Sequence, residues 1–186
     1  MSFGNGALTH REGRTLMLLP RLSPDAQGPS AKSSGEVFYN PAMAGSRTRS
    51  VLLFCHAMQE GMLGDGTVYA LDGLTASGLR ARRWLNELPH RMSSRISATI
   101  VDLEKEALEW AISSHKEFPP FGGAGDLQAF QEDLRTAVLS SGRHWIDIDP
   151  YGSPAPFIDS AMQSMARSGV MEVSATDTAA LTGSSK

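Results

Sequence analysis

The stretch Asp147-Ile148-Asp149-Pro150-Tyr151-Gly152-Ser153-Pro154 sets a carboxylate, a proline and an aromatic ring in one turn. That combination suits a planar exocyclic amine. The lone pair of such an amine is delocalised into its ring, which makes it a poor nucleophile. A carboxylate and a backbone carbonyl that accept its two N–H bonds localise the pair and aim it, so the gain is orientation and electrostatics. An aromatic neighbour stacks on the base and excludes water. Asp149 is the candidate catalytic residue, with Pro150 and Tyr151 as its substrate-binding companions. The alternative is an ordinary strand-to-loop turn, which seldom needs two prolines around Tyr-Gly-Ser.

A second constellation is Leu71-Asp72-Gly73-Leu74-Thr75-Ala76-Ser77-Gly78-Leu79-Arg80, which follows an apolar run and opens a helical pattern. Small residues let a ligand approach the backbone closely, and a helix N-terminus offers unpaired N–H groups. A dinucleotide loop would need G-x-G-x-x-G, and only Gly73 and Gly78 are present. A P-loop would need lysine where Leu79 stands. S-adenosylmethionine has no phosphate and requires neither, which makes Asp72, Gly73, Ser77 and Gly78 candidate cofactor contacts. A tight turn without a ligand is the plainer alternative.

Asp102 closes the next apolar run, where an acid can accept both ribose hydroxyls of a nucleoside or cap the following helix. Asp126, followed by Leu127, is open in the same way, as a cap or as the partner of an adenine amine.

These residues need a scaffold. Apolar patterning predicts strands at 15–19, 67–71, 96–101, 145–148 and 170–174, with a weaker one at 122–125. Helices are expected within 47–63 and at 79–88, 104–115, 131–139 and 155–167. Repeated βα units of this length imply a mostly parallel sheet with helices on both faces. The expected organisation is an N-terminal strand and loop over 1–36, rich in Pro, Ser and Gly from 21 to 35, then one α/β domain over 37–186.

With 186 residues, 41% apolar and 20% charged, the chain can bury a real core. No run of about 18 apolar residues offers a membrane span. The first six residues lack the basic and apolar regions of a signal peptide. Cys55 is the single cysteine, and the five histidines share no i, i+4 spacing, so no metal site is expected. Together these features suggest a cytoplasmic protein. The net charge of −3 does not by itself suggest a nucleic-acid partner.

The segment from Asp147 to Ala161 closely resembles a signature of the tRNA (guanine-N2-) dimethyltransferase family. So do Val37-Phe38-Tyr39-Asn40-Pro41 with Met43 and Arg47, Asp72 to Arg80, and Ala175-Thr176-Asp177-Thr178-Ala179. They occur in the family's order and span about residues 10–186. The resemblance implies a Rossmann-like class I methyltransferase fold, truncated after about the fifth strand and lacking the family's C-terminal domain. It implies S-adenosylmethionine as cofactor, tRNA as partner, and N2-methyl- and N2,N2-dimethylguanosine as products. By the same resemblance Asp149 is catalytic, Phe38 and Tyr151 sandwich the base, and Arg47, Asp102 and Asp126 contact the cofactor. Tyr151 stands where the family often has Phe, which keeps the stacking face. An amino methyltransferase acting on adenine or protein glutamine is the nearest alternative, and a non-catalytic nucleoside-binding module the next.

Overall fold

Apolar runs of β-branched and small residues alternate with helix formers from residue 68 onward, and the chain folds accordingly. A computed structural model describes residues 7–20, 39–138 and 142–175. A hairpin of β1 (Ala7–Glu12) and β2 (Thr15–Pro20) comes first, turning at Gly13, whose φ of +59° favours glycine. Helix α1 (Ala44–Gln59) follows. Then come β3 (Val68–Gly73), α2 (Leu79–Glu87), the short α3 (His90–Ser93), β4 (Ile96–Asp102) and α4 (Lys105–Glu117). The remaining elements are β5 (Asp126–Gln131), α5 (Leu134–Ala137), β6 (Arg143–Ile148), α6 (Ala155–Ser164) and β7 (Met165–Val173).

Five strands pair in the order β5-β4-β3-β6-β7, every neighbouring pair parallel. The chain steps from β3 outward to β5, then crosses back to β6 on the other side of β3. The crevice between β3 and β6 is therefore the switch point where such sheets bind ligands, beyond the strands' C-terminal ends.

Both faces are covered. Val68, Ala70, Ala98, Ile100 and Trp145 pack with α1, α2 and α4, while Leu71, Val101, Ile146 and Ile148 pack with α5 and α6. On the first face Phe54 stacks on Trp145 at 4.2 Å and Trp84 meets both rings edge-on. Such aromatic pairs add about 0.5–1.5 kcal/mol each beyond their burial.

The hairpin is clasped onto this layer through Arg82, which donates to the Leu16 carbonyl at 2.7 Å, and Ser114 Oγ, which accepts from the Leu18 N–H at 2.9 Å.

Strand β1 and the short α3 are absent from the pattern-based expectation, and three expected elements are placed differently. Residues 122–125 are not a strand: Gly122, Gly123 and Gly125 all have φ near +65 to +70°, and the strand begins one residue later, at Asp126. The helix expected at 131–139 is a single turn, because Gln131 still belongs to β5 and Asp133 caps α5. Helix α6 stops at Ser164, and β7 begins at Met165 rather than at 170. Gly169 in that strand lies where a Cβ would stand 2.8 Å from the His144 carbonyl, so close strand approach fixes its identity.

Candidate active site

Asp72 and Gly73 end β3, and the loop to α2 is wrapped around the Asp72 carboxylate. Its Oδ2 accepts the Thr75 hydroxyl at 2.8 Å and the Ala81 N–H at 3.0 Å. Leu74 and Ala76 hold positive φ values of 60° and 46°, which non-glycine residues adopt at a cost. Asp102 holds Ala76 in place by accepting its N–H at 2.7 Å, and its other oxygen accepts the Glu104 N–H at 3.0 Å. A carboxylate has about four lone-pair sites, so two remain for a ligand.

The two loop glycines answer to packing as well. A Cβ on Gly73 would lie 2.6 Å from Leu134 Cδ1, and one on Gly78, at φ +64°, would lie 2.6 Å from Ala111 Cβ. Gly78 thereby lets α2 and α4 touch. Ser77 beside it is buried.

On the other side of the crevice, β6 delivers Asp147 and then Asp149. Asp72, Asp147 and Glu172 are register partners on β3, β6 and β7, which puts three carboxyl groups in a row on one face. Arg80, 5% exposed in the first turn of α2, reaches down to this row. Its Nε lies 2.9 Å from Asp147 Oδ2, and its Nη2 donates to Asp149 Oδ2. Glu172 accepts the Ser50 hydroxyl at 2.5 Å, and Ser50 in turn accepts the Trp84 indole N–H. Arg80 Nη1 and both Asp147 oxygens are buried without an aligned hydrogen bond.

The electrostatics follow from that burial. Burial pushes the Asp72 carboxyl up from 3.8 to about 6, against the lowering effect of Arg80, Thr75 and the Ala81 N–H. Burial lifts Asp147 well above the carboxylate range too, and the Arg80 charge offsets it only in part. Burial alone would weaken Arg80 as a base, but Asp147, Asp72 and Asp149 outweigh it and hold the guanidinium above its ordinary value.

For Asp72 the sign is definite. The folded state binds the proton more tightly than the unfolded chain does, so its contribution to stability is present below about pH 4 and lost as pH rises through about 6. Asp72→Asn should flatten that part of the curve. Urea unfolding across this window checks it, and equal slopes in variant and parent would rule Asp72 out as the source.

Tyr151 is 80% exposed, so its ring is free to stack, while Pro150 beneath it is buried. Arg47 sits one turn before Ser50 on α1, but Glu12 already takes its Nε at 2.7 Å and its Nη2 at 2.6 Å. A cofactor contact from Arg47 would compete with that pair. Phe38 and residues 176–179 lie outside the described residues.

Asp126 and Leu127 are not brought to the crevice. They open β5 at its N-terminal end, opposite Ser97 and Ala98, whereas Asp102 pairs with Gln131. Five residues of strand put Asp126 roughly 16 Å from that end. Leu127 packs against the core instead. The acid that does reach the edge is Asp133, next to Glu132, whose N–H donates to the Asp102 carbonyl at 3.2 Å. Asp133 accepts from the Arg135 backbone and side chain, and those bonds lower its carboxyl to about 2. Its signal in the sequence is the acid pair Glu132-Asp133 directly after the alternating strand Asp126–Gln131. Arg80 is equally easy to miss, since nothing in the helical pattern at 79–88 sets it apart from Arg82 and Arg83.

The model of the family described as N2,N2-dimethylguanosine tRNA methyltransferase matches residues 21–186. The chain belongs to this family. It is 33% identical over 154 residues to the tRNA (guanine(26)-N(2))-dimethyltransferase of Methanocaldococcus jannaschii, across 81% of this chain and 39% of that protein. Against the enzyme of the same name from Methanoculleus marisnigri the identity is 36% over 174 residues, across 92% of this chain and 40% of that one. The chain thus spans about two-fifths of the length of these curated relatives.

Among solved structures, the S-adenosylmethionine-dependent methyltransferase from Agrobacterium tumefaciens superposes with a TM-score of 0.62 at 11% identity, across 93% of this chain and 53% of that one. The S-adenosylmethionine-dependent methyltransferase from Thiobacillus denitrificans, solved with S-adenosyl-L-homocysteine, gives 0.50 at 18% identity, across 67% and 47%. These likenesses establish the fold, a Rossmann-like methyltransferase sheet, as the family's resemblance implied.

Proposed function

We propose that this chain binds S-adenosylmethionine at the switch point and directs its methyl group to the N2 amine of a guanosine in tRNA. The observation that carries the reading is the position of Asp149-Pro150-Tyr151. The turn leaves β6 directly across the crevice from the Asp72–Gly78 loop and within reach of Arg80 on α2. Family membership and the names of the relatives support the substrate.

The residues present fit the cofactor. Asp102 keeps two acceptor sites for ribose hydroxyls, and Asp133 stands at the same sheet edge as an acid for the adenine side. The small residues Ala76, Ser77 and Gly78 leave the loop backbone approachable. The carboxyl groups of Asp72, Asp147, Asp149 and Glu172 surround the Arg80 guanidinium on this side of the crevice. When bound, the cofactor supplies an electrophilic methyl carbon on a sulfonium.

Asp149 accepts one N2–H bond of the guanine and turns the amine's lone pair toward that carbon. The exposed Tyr151 ring stacks on the base and keeps water away, a contact of about 1–3 kcal/mol. Asp149 would also be placed to receive the proton that N2 loses on methylation. A tRNA substrate fits a cytoplasmic protein. Among the described residues no helix is long and apolar enough to cross a membrane, and no acid, histidine or cysteine cluster could hold a metal.

The test is nucleoside analysis of unmodified tRNA incubated with the full-length protein and labelled cofactor. Label in N2-methyl- and N2,N2-dimethylguanosine is expected. Label in an adenosine product, or in a protein glutamine, would replace this reading with another amino methyltransferase.

A further inference from the structure

We infer that Arg80 is a positioning residue for methyl transfer, holding Asp149 in the orientation in which it meets the target amine. The inference rests on the function proposed above. Asp149 follows the last residue of β6, where the sheet no longer fixes the chain. Its side chain needs an external brace, and Arg80 Nη2 provides one by donating to Oδ2.

The brace is itself anchored. Arg80 Nε lies 2.9 Å from Asp147, two residues back on the same strand, and Asp147 is fully buried between its register partners Asp72 and Glu172. One planar guanidinium thus bonds to Asp149 in the turn while it lies against the Asp147 carboxyl group inside the sheet. Residues i and i+2 of a strand are roughly 7 Å apart on the same face, a span the forked donors of arginine bridge and the single nitrogen of lysine does not. The backbone end of the brace is just as firm. The Ala81 N–H, next along α2, is bonded to Asp72, so the first turn of the helix is fixed to β3.

This burial is costly for a residue that merely decorates a helix. The guanidinium is 5% exposed with one nitrogen left without a hydrogen bond, and Asp147 and Asp149 are the groups it meets in return. Misplacing a reacting group by about 1 Å costs up to roughly 10²-fold in rate. Loss of the brace should therefore act on turnover more than on tRNA affinity.

The experiment is a double-mutant cycle in the full-length protein, read as single-turnover methylation of tRNA at saturating cofactor. Arg80→Gln is expected to lower the rate about tenfold or more in the parent, with the tRNA concentration for half-maximal rate unchanged within about threefold. In an Asp149→Asn background the same substitution should cost less than about twofold, because the group it positions is already disabled. Arg80→Lys, which keeps the charge and loses the fork, should not restore the rate. Equal fold-losses in both backgrounds would overturn the inference, as would full rescue by lysine. If thermal melting shows that Arg80→Gln does not fold, Asp147→Asn takes its place in the same cycle, since it loosens the far end of the brace. A parent protein that makes no N2-methylguanosine would instead overturn the functional reading beneath it.

Discussion

Replacing Asp149 by alanine is expected to lower methyl transfer to tRNA by roughly 10²-fold or more, the usual cost of removing one pre-organised polar contact. Cofactor binding should change little, because Asp102 and the loop around Asp72 lie on β4 and β3, across the crevice from the turn. The fold should survive as well. Arg80 keeps its 2.9 Å contact with Asp147 when Asp149 is gone, so the buried guanidinium is not left without a partner. Single-turnover labelling measures the first quantity and calorimetry with S-adenosyl-L-homocysteine the second. A variant that retains more than about a tenth of the parent rate would remove Asp149 from its role. Loss of cofactor affinity in step with the rate would reassign it to the cofactor.

How much of this was legible beforehand differs between elements for physical reasons. Strands β3, β4 and β6 are largely buried on both faces, and near-continuous apolar runs such as Ala98-Thr99-Ile100-Val101, broken by one hydroxyl, announce them. The turn at Asp149 was legible because its chemistry is local: acid, proline and ring are consecutive. Strand β1 was not, since its residues are mostly exposed or half-buried and lack alternation. The place of Asp126 at the start of β5 traces to the glycine run before it, where positive φ values delay the strand and leave Glu132 and Asp133 as the acids beyond its end.

Arg80 was illegible for a different reason. Its partner Asp149 is 69 residues away, and no periodicity within α2 separates a guanidinium turned into the sheet from one turned to solvent. Arg82 makes the same point, fully buried on the same helix, bonded to backbone carbonyls rather than to an acid, and pushed down by burial to about 10.

The hairpin matters more than its sequence suggests, and Glu12 at the end of β1 should be among the most sensitive positions for stability. Glu12 is 8% exposed, accepts two bonds from Arg47, one from Arg83 at 2.9 Å and one from the Tyr39 hydroxyl at 3.1 Å. It therefore joins β1, α1, α2 and the segment leading into α1. Glu12→Ala is expected to lower the unfolding free energy by about 3–5 kcal/mol at neutral pH, the cost of leaving a buried charge without its partner. Two features decide how the loss is shared. Arg83 keeps Glu87, which it meets at 2.7 and 2.8 Å, so its guanidinium stays paired. Arg47 keeps the Asn40 carbonyl at 3.0 Å and the face of the Tyr39 ring but no countercharge, so most of the penalty falls on α1 and the Tyr39–Asn40 segment. Acid should expose the same interaction. Burial works to raise the Glu12 carboxyl, yet the Arg47, Arg83 and Tyr39 contacts together hold it below its ordinary 4.5. Its contribution is thus present above about pH 4.5 and lost as pH falls through the lower folded value. Urea unfolding of parent and variant at pH 7 and again near pH 3 should show the gap narrowing in acid. A gap below about 1 kcal/mol at pH 7 would mean that Arg47 finds water or another acceptor once Glu12 is gone, and that the hairpin is held by its other contacts, the Arg82–Leu16 and Leu18–Ser114 bonds among them.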